Sequence, residues 1–161
     1  MDARWIRLGA IEPPAFEQAC ASLAAAQGAA ARPILAWAQA EAQYLFAVIA
    51  PRRLAPGLSR RWLAWALAPA VATYRQFDMP AYLDAQAIWL HGREIAGASV
   101  REIGTCVVVA SSFLRRFPEQ CVSMPSSALE DAFRLRLEAQ HGWRFDHSWL
   151  TEPERALHAL A

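Results

Sequence analysis

Among the groups in this chain able to do more than pack are three thiols, four imidazoles and 16 guanidiniums, with no lysine anywhere. Cys121 lies in the loop-like stretch RRFPEQCVSMPSS, downstream of Arg115 and Arg116. Neighbouring cations favour the thiolate, so Cys121 is the candidate nucleophile, weighed against an ordinary loop cysteine. Cys106, inside the apolar run TCVVVA, and Cys20, on an apolar helix face, read as small core residues. No two thiols have CxxC spacing, which argues against a disulfide framework and a structural zinc site. His91, His141, His147 and His158 stand at no metal-ligand spacing, and no metal site is expected. Asp146–His147–Ser148 has the letters of a catalytic triad, but adjacent residues do not face one another as triad members must. The pairs Arg52–Arg53, Arg60–Arg61 and Arg115–Arg116 are candidates for a phosphate or a partner's acidic face, against solvated surface. Trp37, Trp62, Trp65 and Trp89 read as core before they read as a ligand pocket.

The elements that must position these groups follow from hydrophobic patterning. From Asp84 to Leu114, apolar runs broken by glycine read as a β-meander. Ile88–Leu90 is one run, His91–Gly92 a turn, Arg93–Ala98 a second run and Thr105–Ala110 a third. Upstream, Arg4 to Gly9 reads as a short strand. Phe16, Ala19, Cys20, Leu23 and Ala26 share one face of a helix from Pro14 to Gln27. Pro33 to Ala38 follows, and QYLFAVIA (43–50) has the length and β-branched content of a buried strand. Ser59 is placed to cap a helix from Arg60, in which Pro69 must kink or restart the ladder. Arg115 to Pro125 reads as irregular. Ser126 or Ser127 is placed to cap a helix through Gln140, with Glu130 and Asp131 in its first turn and Gly142 as its stop. A last helix spans Glu152 to Leu160. This order predicts one α+β domain over residues 1–161, a single mixed, largely antiparallel sheet with helices packed on one side.

Composition narrows the function classes. A net charge of +1 gives no electrostatic footprint for nucleic acid. The most apolar segment, Trp62 to Val71, is broken by Pro69 and preceded by Arg60–Arg61, so no membrane span is expected. Residues 1–12 mix charged and apolar groups, unlike a signal peptide, and the reading is a soluble cytoplasmic protein. Any chemistry needing a lysine ammonium is closed to the chain. Arg93 cannot replace it as a general base, because guanidinium stays protonated.

The segment Gly92–Arg93–Glu94–Ile95–Ala96–Gly97–Ala98 resembles the signature hairpin of the biotin/lipoate protein ligase family, which includes octanoyltransferases. WIRLGAIEPPAFEQACASLAAA is similar to that family's first strand and helix, QYLFAVIAP to the strand after its substrate loop, and TCVVVASSFL to the strand after the hairpin. The resemblance covers most of residues 4–140 and implies the fold shared with class II aminoacyl-tRNA synthetases. It also implies an acyl-sized groove, with Arg93, Ile95, Gly97 and Ala98 as candidate substrate-binding residues. Three departures argue against ATP-dependent ligation. Glu94 occupies the family's lysine slot, where an ammonium would stabilise carboxylate and phosphate. The stretch PILAWAQAEAQY (33–44) has no glycine where the family has an Arg- and Gly-rich loop over the acyl-adenylate. Asp84–Ala85–Gln86–Ala87 replaces the Asn–Asp pair that helps ligases hold magnesium ATP. The expected protein is a degenerate, non-ligating relative with no cofactor, which binds an acyl group, a lipoyl or biotinyl domain, or a related ligase. The alternatives are an octanoyl or lipoyl transferase taking its acyl chain as a thioester on Cys121, and a non-enzymatic α+β interaction domain.

Overall fold

The computed structural model describes residues 1–28, 31–117, 122–123 and 125–160. A first strand, β1 (Asp2–Ala10), leads into α1 (Pro13–Ala25), whose first turn tolerates proline because its N–H groups lack helical partners anyway. Strands β2 (Ile34–Gln39) and β3 (Gln43–Pro51) form a hairpin, and a 3-10 turn at Ser59–Arg61 opens α2 (Trp62–Gln76). Short strands β4 (Tyr82–Asp84), β5 (Ala87–Leu90) and β6 (Arg93–Gly97) come next, followed by β7 (Ser99–Ile103) and β8 (Cys106–Leu114). A two-stranded ribbon, β9 (Arg116–Phe117) with β10 (Val122–Ser123), falls in the stretch read as irregular. The chain closes with α3 (Ser126–His141), β11 (Arg144–His147) and α4 (Glu152–Leu160).

The expected mixed, largely antiparallel sheet is present, with strand order β11-β1-β2-β3-β8-β7. Only the β1–β2 and β1–β11 pairings are parallel. A second, three-stranded sheet, β4-β5-β6, carries the hairpin, so the predicted meander is divided between two sheets at Ala98. Helices cover both faces of the large sheet rather than one. Leu35, Trp37, Phe46, Val48, Val109 and Phe113 point to α2 and α3. Alternate residues Ile34, Ala36, Leu45, Ala47, Ile49 and Val108 point to Phe16, Cys20 and Leu23 of α1. Burial on both faces explains why β3 is a continuous apolar run. Cys20 and Cys106 are buried, and burial raises the pKa of both thiols.

Three local expectations are corrected. Neither Ser59 nor Ser126 caps a helix through its side chain; the Ser126 hydroxyl instead accepts a hydrogen bond from Trp37 Nε1 at 3.1 Å. Glu130 lies beyond the first turn of α3 and is buried, paired with Arg7 of β1 at 2.9 Å. A partner 123 residues away, rather than the helix dipole, accounts for its position. Of the kink or restart expected at Pro69, the restart does not occur, since α2 runs through it. Proline lacks the N–H that would bond the carbonyl four residues back. That carbonyl, on Trp65, accepts from Gln140 Nε2 of α3 at 3.1 Å, so a tertiary contact replaces the missing helical bond. Gln140→Met should keep the packing but lose this bond, and is expected to cost about 1 kcal/mol in denaturant unfolding.

α4 is tied back across the sheet edge. The Glu154 carboxylate, 3% exposed, accepts from Arg4 Nη2 at 3.0 Å, Gln27 Nε2 at 2.9 Å and the Thr151 N–H at 2.8 Å. The Arg4 guanidinium also donates to Ser148 Oγ and to the Trp149 carbonyl. Among the described residues, no helix is long and apolar enough to cross a membrane.

Candidate functional site: a groove beside the β6 hairpin

The hairpin's geometry begins at its turn. His91 and Gly92 take φ of 51° and 76°, the double left-handed pattern whose twist suits a two-residue β-hairpin. His91 is exposed at the tip. A second turn of this kind lies at Ala85 and Gln86, with φ of 45° and 59° on residues that carry a Cβ. It occupies the stretch where an Asn–Asp pair was sought. Its Gln86 carbonyl accepts from Ala98 N–H at 3.0 Å and fixes the exit of the hairpin.

Between the Ile88↔Ala96 and Trp89↔Glu94 pairings the register slips by one residue, which leaves Ile95 as a bulge. The slip separates the four candidate binding residues. Arg93 stays exposed at the turn, opposite Leu90. Ile95 is half-buried against the core of α2 and α3. Gly97 and Ala98 line a cavity of about 330 Å³ between the start of α1 and the ends of β3 and β8. Glu94 is exposed, and its Oε1 lies 3.5 Å from where a Cβ on Gly97 would stand, so the carboxylate leans over the glycine that borders the cavity. The Ser111 hydroxyl donates to the Gly97 carbonyl at 2.8 Å and staples the hairpin to β8.

The rest of the lining was not singled out in the sequence. Phe16 and Leu45 make apolar wall; Gln43, Ser99, Ser111 and Ser112 bring amide and hydroxyl groups; Glu17 brings a carboxylate. Among the described residues no arginine or histidine lines the cavity. Sheet alternation gives the signal that finds these positions. Leu45 pairs with Ser112 and Ser99 with Ala110, so all four take the side that faces α1. Small side chains at 99, 110 and 112 leave room where the neighbouring core positions fill it.

The stretch without glycine folds into a tight connection. β2 and β3 are joined through residues 40–42 alone, with Ala40 N–H bonded to the Gln43 carbonyl at 2.9 Å. Arg115 braces this turn by donating to the Ala40 carbonyl, and its guanidinium stacks on Tyr44. Arg52 pairs with Glu102 and Arg53 donates to the Ala31 carbonyl, so both are spent on structure. Cys121 lies outside the described residues. Trp37 and Trp62 are buried, while Trp65 and Trp89 are half-buried.

The sequence matches no protein-family model and no curated protein. The fold does have solved counterparts. The bi-partite lipoate protein ligase of Thermoplasma acidophilum, described with its E2 lipoyl domain, superposes with a TM-score of 0.80. That match covers 99% of this chain and 91% of the other, at 10% identity. A lipoate-protein ligase A bound with ATP gives 0.81 over 99% and 94%, at 11% identity. The Leishmania major biotin protein ligase in complex with biotinyl-5-AMP gives 0.54 over 88% and 76%, also at 11%. At these identities the likeness is one of architecture, and on it the chain has the fold of the biotin/lipoate protein ligase catalytic domain.

Proposed function

We propose that this chain binds an acyl group in uncharged form, as the lipoyl-, biotinyl- or octanoyl-type amide presented by a carrier domain, and does not ligate free acids with ATP. The observation that carries the reading is the charge of the groove. Adenylation brings a carboxylate and a phosphate together and needs cations beside them. This groove has Glu17 in its wall and Glu94 over Gly97, with no basic side chain among the described lining residues. A free carboxylate held about 4 Å from another loses about 1 kcal/mol even in a water-like dielectric. An amide meets no such repulsion and can use the Gln43, Ser99 and Ser112 groups. The three-residue link between β2 and β3 supports the same reading, since it is too short to fold over an adenylate.

Calorimetric titration with lipoamide, lipoate, octanamide, octanoate and biotinamide, each with and without magnesium ATP, tests it. The amides are expected to bind about tenfold more tightly than the matching acids at neutral pH. Nucleotide is expected to change neither the heats nor the affinities. Acid binding that requires ATP, or release of pyrophosphate, would overturn the proposal, as would an absence of amide binding.

A further inference from the structure

Away from the acyl groove, α2 presents a second feature to solvent. Arg61, Ala64, Ala68, Ala72 and Arg75 recur at three- and four-residue spacing and form one stripe along the helix. Ala68 and Ala72, with Val71, floor a groove of about 510 Å³ that Leu83 of β4 and Arg136 of α3 close on the other side. The floor is small and apolar, and the charged groups on its rim are guanidiniums. Arg75 is fixed there by a bond from its Nε to the Ala81 carbonyl at 3.0 Å, and Arg136 by bonds to Gln76 Oε1 at 3.3 and 3.4 Å.

Some cations of the chain are neutralised by a carboxylate and these are not, a state they share among the described residues with Arg32, Arg53, Arg93, Arg101 and Arg155. Arg4, Arg7, Arg52, Arg134 and Arg144 each pair with a carboxylate. Among the described residues, Arg60, Arg61, Arg75 and Arg136 form no ion pair. Arg60 and Arg61 also stand at the N-terminal end of α2, where the helix dipole opposes positive charge, and no acidic residue in the first turn offsets them. Cations held without partners at an unfavourable helix end, in line with an alanine floor and two more unpaired cations, present a surface whose complement is negative.

We infer that the α2–α3–β4 groove docks an acidic helix of a partner protein. The alanines let a second helix approach closely, and its apolar stripe fills the floor over Ala68, Val71 and Ala72. Its carboxylates meet Arg61 at one end of the stripe and Arg75 and Arg136 at the other. Arg61 and Arg75 lie about 21 Å apart along the axis at 1.5 Å per residue, so the docking helix is about four turns long. Such recognition follows the helix-in-groove mode, with steering by opposite charge.

The test is fluorescence anisotropy of the full chain with a labelled four-turn peptide, glutamate-rich at both ends and with an alanine–leucine stripe between. The same peptide with lysine in place of glutamate is the control. Only the glutamate peptide is expected to bind. Its affinity should fall about tenfold in Arg75→Gln/Arg136→Gln, and it should weaken when salt shortens the screening length to about 3 Å. Arg61→Gln, which removes an exposed side chain without a described partner, should weaken it about threefold, and keeps the test valid if the double variant misfolds. Equal binding of the two peptides, failure of the glutamate peptide to bind, or indifference to Arg61→Gln would each overturn the inference. Acyl-amide titration of the same variants separates the two proposals, because the groove beside Gly97 should be unaffected.

Discussion

Glu154→Ala is expected to destabilise the fold by about 3–5 kcal/mol, because it leaves the Arg4 guanidinium buried without its counter-charge. In a chain of this size that corresponds to a fall in Tm of about 6–20 °C. Burial alone would raise the Glu154 pKa. The hydrogen bonds from Arg4, the Thr151 N–H and Gln27, with the Arg4 charge, outweigh burial and hold the carboxyl down at about 2. A folded-state pKa below the ordinary 4.5 means that the unfolded chain takes up the proton first. The stabilisation is therefore complete above about pH 4.5 and is lost as pH falls towards 2. Urea unfolding of both proteins at stepped pH checks this. The gap should stay constant from neutral pH down to the upper of these values and close below it. A gap that persists at pH 2, or is absent at pH 7, would show that α4 is held by other contacts.

Ala110→Phe is expected to remove acyl-amide binding while leaving the protein folded. Ala110 is half-buried, lines the cavity and lies beside Ser99 in the β7–β8 ladder, so a ring there projects into the space an alkyl chain would take. Displacing about three methylenes at about 0.8 kcal/mol each removes roughly 2.4 kcal/mol, about a 50-fold loss of affinity. Calorimetry with lipoamide reads the loss, and a melting curve separates it from overpacking, which costs about 1–3 kcal/mol. Undiminished binding would place the acyl group elsewhere on the molecule.

What was legible in the sequence and what was not divides along physical lines. The run 43–50 was readable as a buried strand because burial on both faces leaves no polar residue in it after Gln43 and Tyr44. Gly142 was readable as a helix stop because its φ of 70° suits glycine. Cys20 and Cys106 declared themselves core by their apolar neighbours. Arg144–His147 escaped, since a four-residue edge strand reading RFDH has neither alternation nor length, and is held in place by parallel pairing with β1. Ser126 and Glu130 looked like local helix devices, yet their hydrogen bonds run to Trp37 and Arg7, and spacing along one helix carries no trace of such distant partners. The hairpin pointed to Gly97 and Ala98. The opposite wall, Phe16 and Glu17 from α1 with Ser112 from β8, comes together only when the sheet is assembled.

The parallel pairing of β1 with β2 on one side and β11 on the other also sets an order of assembly. The β2–β3 hairpin closes across residues 40–42, a local event on the microsecond scale. Seating β11 on β1 must bring Arg144 to Asp2 across 142 residues of chain, and loop-closure entropy makes that a late step. On a ribosome β1 emerges ahead of the other described strands and β11 behind them, so a nascent chain stalled between β1 and Arg144 carries an open strand edge. Such edges recruit other strands. The arginines at positions 4 and 7 in β1 then act as guards against wrong pairing before they become the partners of Glu154 and Glu130.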